Sequence, residues 1–220
     1  FMTVLITGAS RGIGLALTEQ YLQRGQTVLA VCREPTEELK ATKAEIISGI
    51  DISSDADIAK LKVAVGSRKL SLLMNNAGVL YNEGLDSMDF STIEQQWQVN
   101  ALAPLKVTYA LLGNLEKGSK IAFTSSRMAS IEDNTSGAYY GYRMSKVALN
   151  AAAKSLAVDL KDQGISVALL HPGYVSTRMV GFSGQISAEE SAKGLIARID
   201  GLNLDNSGSF WHAEGDTLPW

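Results

Sequence analysis

The chain has 220 residues with 20 basic and 23 acidic side chains, a formal charge of -3, and 45% hydrophobic against 20% charged residues. That length suits one domain over residues 1–220 and is short for two, while the weak charge excludes a whole-protein field for nucleic acid or anionic lipid. Cys32 is the one cysteine and His171 and His212 are the only histidines, so neither a disulfide framework nor a cluster with metal-site spacing is expected.

Apolar runs near 2–7, 27–32, 45–50, 70–75, 119–125, 165–171 and 208–213 alternate with segments of helical period. This predicts an α/β fold with a seven-stranded parallel sheet and helices on both faces. The first run, Met2 to Ile6, passes directly into Thr7-Gly8 and is too short for a signal peptide or membrane span, so cytoplasmic residence is expected. The first helix should start near Gly12, with Ile13, Ala16, Leu17 and Tyr21 on its buried face and Gly25 ending it.

Between that strand and helix lies Thr7-Gly8-Ala9-Ser10-Arg11-Gly12-Ile13-Gly14, placed so that helix N-terminal amides can receive a pyrophosphate. Gly8 can make the tight turn, Gly12 can admit a phosphate, and Gly14 can let helix and sheet approach. A plain tight βα turn would use the same residues. Arg33 closes the second strand, where a dinucleotide fold presents the adenine ribose, and no acidic residue stands there before Glu34. A guanidinium there can make two charge-assisted hydrogen bonds to a 2′-phosphate, with Arg11 as a second cation, although either arginine could be merely solvated.

Further on, Ser91-x-x-Glu94 and Ser187-x-x-Glu190 have the capping-box form. The longest helix is expected from about Tyr142 to Lys161 and closes at Gln163-Gly164. Tyr142 and Lys146, four residues apart, share its face and make a usable acid/base pair. A cation at ~4 Å with an effective dielectric of ~20 is worth about 4 kcal/mol, which lowers a phenol by roughly three pKa units before desolvation is counted. Ser126 follows the fifth strand and could bond a substrate oxygen; Ser125 is its rival, and either could instead satisfy loop backbone.

These segments resemble, in order and over about residues 2–215, the short-chain dehydrogenase/reductase family. The matching elements are Thr-Gly-x-x-x-Gly-x-Gly at 7–14, Asn75-Asn76-Ala77-Gly78, Ser126, Tyr142-x-x-x-Lys146 and Pro172-Gly173-x-Val175-x-Thr177. The resemblance implies a Rossmann-type doubly wound fold and an NADP(H)-dependent oxidoreductase acting on a carbonyl or alcohol. It assigns cofactor binding to Gly8, Ser10, Arg11, Gly12, Ile13, Gly14, Arg33, Asp51, Asn76, Ala77, Gly78, Tyr142, Lys146, Pro172, Gly173, Val175 and Thr177. Asp51 would contact the adenine, although a turn role fits it equally.

The catalytic set it implies is Asn100, Ser126, Tyr142 and Lys146, with Asn100 holding a water near the lysine. Trp97 and His171 are read as packing residues. Within the family, Thr124–Arg127 and Asn134–Lys146 are most similar to C-factor and sniffer-type carbonyl reductases. A nucleotide-binding signalling protein of C-factor type with little turnover is therefore the alternative. Family members pair through two long helices, here near 92–115 and 142–163, so a homodimer or homotetramer is expected. About ten residues separate Thr177 from the helix near Ala188, so the site should be open. Met128, Tyr140, Tyr174, Met179 and Phe182 are candidate walls for an apolar or aromatic carbonyl compound, and core packing explains them as well.

Overall fold

The computed structural model describes residues 2–220. Its seven strands are β1 (Thr3–Thr7), β2 (Thr27–Val31), β3 (Glu45–Ile47), β4 (Leu72–Asn75), β5 (Lys120–Thr124), β6 (Ser166–His171) and β7 (Ser209–His212). All neighbours pair in parallel in the order β3-β2-β1-β4-β5-β6-β7. The direction of winding reverses between β1 and β4, and in such sheets ligands bind outside the carboxyl ends of the strands at that point.

Alternation along the strands divides the core into two layers. Leu5, Leu29, Leu73, Ile121, Phe123, Val167 and Leu169 face α3 (Asp55–Val65), α5 (Ala103–Ala110) and α6 (Tyr140–Asp159). Val4, Ile6, Val28, Ala30, Met74, Ala122 and Leu170 face α1 (Gly12–Gln23) and α7 (Ala188–Asp200). Both faces are dry, which is why the strands are continuously apolar. Two shorter helices, α2 (Glu37–Lys40) and α4 (Phe90–Gln96), complete the set.

The helix boundaries correct several expectations. Ser187 and Glu190 do form a capping box at α7, but α4 is capped by Asp89, whose carboxylate accepts from the amides of Ser91 and Thr92. Aspartate caps as well as serine, and it stands two residues earlier, so Ser91 falls inside the helix. The helix expected over 92–115 is four pieces: α4, a π-helical turn at Trp97–Leu102, α5, and a 3-10 turn at Leu112–Asn114. α6 starts two residues before Tyr142 and ends at Asp159, followed by a 3-10 turn at Lys161–Gln163. The third strand stops at Ile47, because Gly49 turns the chain with a φ of 72°.

Candidate active site

The glycine turn is shaped by the neighbouring strand. Gly8 has a φ of 64°, and a Cβ there would lie 2.9 Å from the Ala77 backbone. At Gly14 a Cβ would lie 2.0 Å from the Gly8 carbonyl oxygen, so this pair of positions admits no side chain on steric grounds. The first turn of α1 has no side-chain cap and no acidic residue, which leaves its amides and the positive end of the helix dipole available to an anion. Arg11 and Arg33 stand exposed beside this turn, and neither forms an ion pair among the described residues. Ser10 uses its hydroxyl to donate to the Glu34 carbonyl at 2.7 Å, which ties the glycine turn to the segment carrying Arg33. An uncapped helix terminus flanked by two unpaired cations fits a phosphorylated dinucleotide.

A polar seam then crosses the carboxyl ends of the strands. Thr7 on β1 accepts the amides of Asn76 and Ala77 at 3.0 and 3.1 Å, and Thr124 on β5 donates its hydroxyl to the Asn76 carboxamide at 3.0 Å. On the far side, Thr177 of the segment after β6 comes to 3.4 Å from where a Gly12 Cβ would stand. The structure thus brings the glycine turn, Asn76-Ala77-Gly78 and Pro172–Thr177 around one crevice. Asp51 has its carboxylate engaged locally, with Oδ1 accepting the amide and hydroxyl of Ser53 at 3.0 and 2.6 Å. These are contacts that a turn residue makes.

Ser125 and Ser126 are separated by the strand's alternation. Ser125 points into the core and its hydroxyl bonds Asn150 at 2.6 Å, whereas Ser126 turns toward Tyr142 and also accepts the Met128 amide at 3.1 Å. Tyr142 and Lys146 are both buried, on one face of α6, with the Lys146 Nζ 5.7 Å from the phenol ring centre. The Lys146 ammonium donates to the Thr124 carbonyl at 2.9 Å. Thr124 therefore holds both Asn76 and Lys146, a role that nothing in its sequence context signalled.

Burial decides the protonation states. It pushes the Tyr142 phenol up to about 12, with the Ser126 hydroxyl pulling weakly the other way, and pushes Lys146 down to about 8. The spacing argument left desolvation uncounted, and in this state burial is the largest cause on both groups, so the phenol lies above its ordinary value. Asn100 is fully buried in the π-helical turn. Its carboxamide both donates to and accepts from the Val79 backbone at 2.8 Å, and donates to Ser145 Oγ at 3.1 Å.

His171 packs as expected and also holds the serine loop, since its Nδ1 accepts the Arg127 amide at 3.0 Å. Burial pushes its pKa down to about 3. The segment after β6 folds back tightly, with Val175 bridging Ile186, and leaves Tyr174, Met179 and Phe182 exposed. Tyr140 does not share this side: with Met144, Val147 and Ala151 it lines a separate apolar groove of about 570 Å³ along the outer face of α6. Its placement follows from α6 starting at Tyr140, which sets it two residues, about 200° of helix, from Tyr142.

The short chain dehydrogenase family profile matches residues 2–186. Among curated relatives, a 1-hydroxy-2-glutathionyl-2-methyl-3-butene dehydrogenase of Rhodococcus sp. (strain AD45) is 36% identical over 224 residues, 99% of each chain. The C-signal protein of Myxococcus xanthus is 42% identical over 155 residues, 69% of this chain and 93% of that one. Among solved structures, a carbonyl reductase from Pseudomonas aeruginosa PAO1 in complex with NADP has a TM-score of 0.87 and 35% identity and covers 100% of both chains. With the crevice, the buried phenol and ammonium, and a family match over most of its length, the chain belongs to the short chain dehydrogenase family.

Proposed function

We propose that the protein is an NADP(H)-dependent carbonyl reductase that holds cofactor and substrate in one domain. The observation that carries this reading is the buried Tyr142/Lys146 pair beside Ser126, facing a crevice whose other wall is the uncapped, arginine-flanked terminus of α1. The NADP-bound state of the Pseudomonas carbonyl reductase supports the same cofactor here. In the proposed site Gly8 to Gly14 and Arg33 would take the phosphates, Asn76 to Gly78 would lie along the cofactor, and Pro172, Gly173, Val175 and Thr177 would face the nicotinamide.

Bound NADPH supplies a hydride to the carbonyl carbon. Ser126 donates a hydrogen bond to the substrate oxygen as negative charge develops there, and Tyr142 gives that oxygen its proton. A phenol pushed up to about 12 by burial keeps its proton at neutral pH, as an acid in reduction must. Lys146, still mostly an ammonium at pH 7 with a pKa near 8, faces the phenolate left behind and returns a proton to it. Asn100, locked onto Val79, fixes the far end of that relay.

The C-signal likeness favours a signalling role only if turnover is absent, and the complete set Asn100, Ser126, Tyr142 and Lys146 supports turnover. Among the described residues no helix is long and apolar enough to cross a membrane. Cys32 is free and buried, as suits a cytoplasmic protein. Pairing as a homodimer or homotetramer through α4–α5 and α6 would cover the outer groove and the exposed Trp97 and Met144.

The deciding experiment is a screen of NADPH oxidation over aldehydes, ketones and quinones, with an S-glutathionylated alcohol tested in the reverse direction. Tyr142→Phe is expected to lower turnover roughly 10²–10⁴-fold while NADPH affinity stays within about twofold. A Tyr142→Phe enzyme with near-native turnover would remove the proton donor from the scheme. NADPH binding with no oxidation across the panel would favour signalling.

A further inference from the structure

The start of α6, two residues before the phenol, is held from a distant part of the chain. Ala138 and Tyr139 precede it with φ values of 54° and 53°, two consecutive left-handed residues that are not glycine, and Tyr139 supplies no side-chain cap. Part of the restraint is local, since the Arg143 guanidinium bonds the Ala138 carbonyl at 3.2 Å and Ser136 Oγ at 3.0 Å. The cap itself comes from Glu83, in the loop between β4 and α4. Its side chain is 1% exposed, and its Oε2 accepts the Gly141 amide at 3.0 Å.

The other oxygen of Glu83 is equally committed. Its Oε1 accepts from Gln96 Nε2 and from the Thr92 hydroxyl, both at 2.7 Å. Gln96 cannot reverse its amide, because its Oε1 accepts the Tyr81 amide and its Nε2 also donates to the Thr92 carbonyl, each at 3.0 Å. The Gly141 amide, the Gln96 amide and the Thr92 hydroxyl, which also reaches the Asp89 carbonyl at 3.0 Å, therefore converge on the two oxygens of one buried side chain. A Cβ on residue 141 would lie 2.4 Å from Gln96 Nε2 and 2.9 Å from Glu83 Oε1. The pair thus rests against the helix backbone one residue before Tyr142, and a carboxylate there also suits the positive end of a 20-residue helix.

We propose that Glu83 is a positioning residue for hydride transfer: it pins the first turn of α6, and so the direction of the Tyr142 phenol, against relaxation of the two left-handed residues before it. This rests on Tyr142 being the proton donor. The loop that carries Glu83 continues from Asn76-Ala77-Gly78 and is fastened to Asn100 at Val79. Glu83 therefore ties the cofactor side of the crevice to the helix bearing the acid. Its loss should misalign the phenol with the substrate oxygen and leave both ligands bound.

The test is steady-state kinetics with NADPH titration on the native enzyme, Glu83→Gln, Glu83→Ala, Glu83→Ala/Ala138→Gly and Tyr142→Phe. Glu83→Ala should lower kcat about 10–100-fold, as displacement of a reacting group by ~1 Å does, with KM and NADPH Kd within about twofold. Glu83→Gln keeps an acceptor for Gly141 but opposes two amide donors at Gln96, and should lose roughly a third of that effect on a logarithmic scale. In both, the solvent deuterium isotope effect on kcat should exceed the native value, because proton transfer now limits the rate. Adding Ala138→Gly, which accepts the left-handed conformation freely, should return at least about threefold in kcat. Should Glu83→Ala fail to fold, Glu83→Gln carries the test through its isotope effect. Glu83 variants with native kcat and isotope effect, beside an inactive Tyr142→Phe, would overturn the positioning role alone. An active Tyr142→Phe would overturn the proton-donor assignment and this proposal with it.

Discussion

The two walls of the crevice are built on different principles. The wall made of the glycine turn, Arg33 and Asn76-Ala77-Gly78 presents backbone amides, and its polar side chains are spent on holding loops: Thr7 on Asn76 and Ala77, Ser10 on Glu34. Opposite it, the wall of Ser126, Tyr142 and Lys146 presents buried side chains, with Tyr142 and Lys146 shifted by burial, Ser126 reaching Tyr142 and Lys146 held by the Thr124 carbonyl. A backbone surface follows from a local motif. A side-chain surface depends on the whole fold, so damage to it should cost chemistry more than binding.

The sharpest test of that contrast lies in two adjacent hydroxyls. Ser126→Ala removes the donor proposed for the developing oxyanion and should cut kcat roughly 10²–10³-fold with little change in NADPH affinity. Ser125→Ala, one residue away, strips the buried Asn150 carboxamide of its 2.6 Å partner. It should instead lower stability by about 1–3 kcal/mol, read as a shift in urea midpoint, with kcat near native. Reversed effects would exchange the roles of the two serines.

On the backbone wall the expected effect is smaller and confined to binding. Arg33→Asp places a carboxylate where a guanidinium stands exposed, and the loss of one charge-assisted contact is worth about 1.5–3 kcal/mol. NADPH affinity should fall on the order of 10–100-fold while NADH affinity rises, and kcat at saturating cofactor should stay within about threefold. An unchanged NADPH Kd would separate Arg33 from the 2′-phosphate.

This asymmetry also explains what the sequence could reveal. All seven strands, their parallel pairing and the glycine turn are legible because apolar runs and glycine spacing are local signals, and Tyr142 with Lys146 is legible because helical spacing puts them on one face. The π-helical turn at Asn100 is not, since Trp97–Leu102 reads like ordinary helix until the Val79 backbone claims the Asn100 carboxamide. Glu83 is invisible for a related reason. A lone glutamate in a loop looks solvated, and only the meeting of that loop with α4 and α6 buries it among three donors. The protonation of Tyr142 went the other way from the spacing argument because spacing reports the cation and not the lost water.

The smallest effect comes from the hinge between the two regimes, where a side chain serves a backbone group. His171 accepts the Arg127 amide through Nδ1, and so fixes the turn that follows Ser126 while the ring is neutral. Its pKa is pushed from an ordinary 6.5 to about 3 by burial first, then by His212 and Arg127. Between those values the unfolded chain binds the proton and the native one does not, so native stability is complete above pH 6.5 and declines as pH falls toward 3. The decline is at most about 1.4 kcal/mol for the first pH unit below 6.5. His171→Asn can still accept the Arg127 amide but has nothing to titrate. Urea midpoints of native and variant at pH 7.0 and 5.5 should therefore converge as pH drops, with the native protein losing more, because carboxylates elsewhere titrate alike in both. Parallel losses would mean that the serine turn is held without the imidazole, and that this loop belongs with the backbone wall.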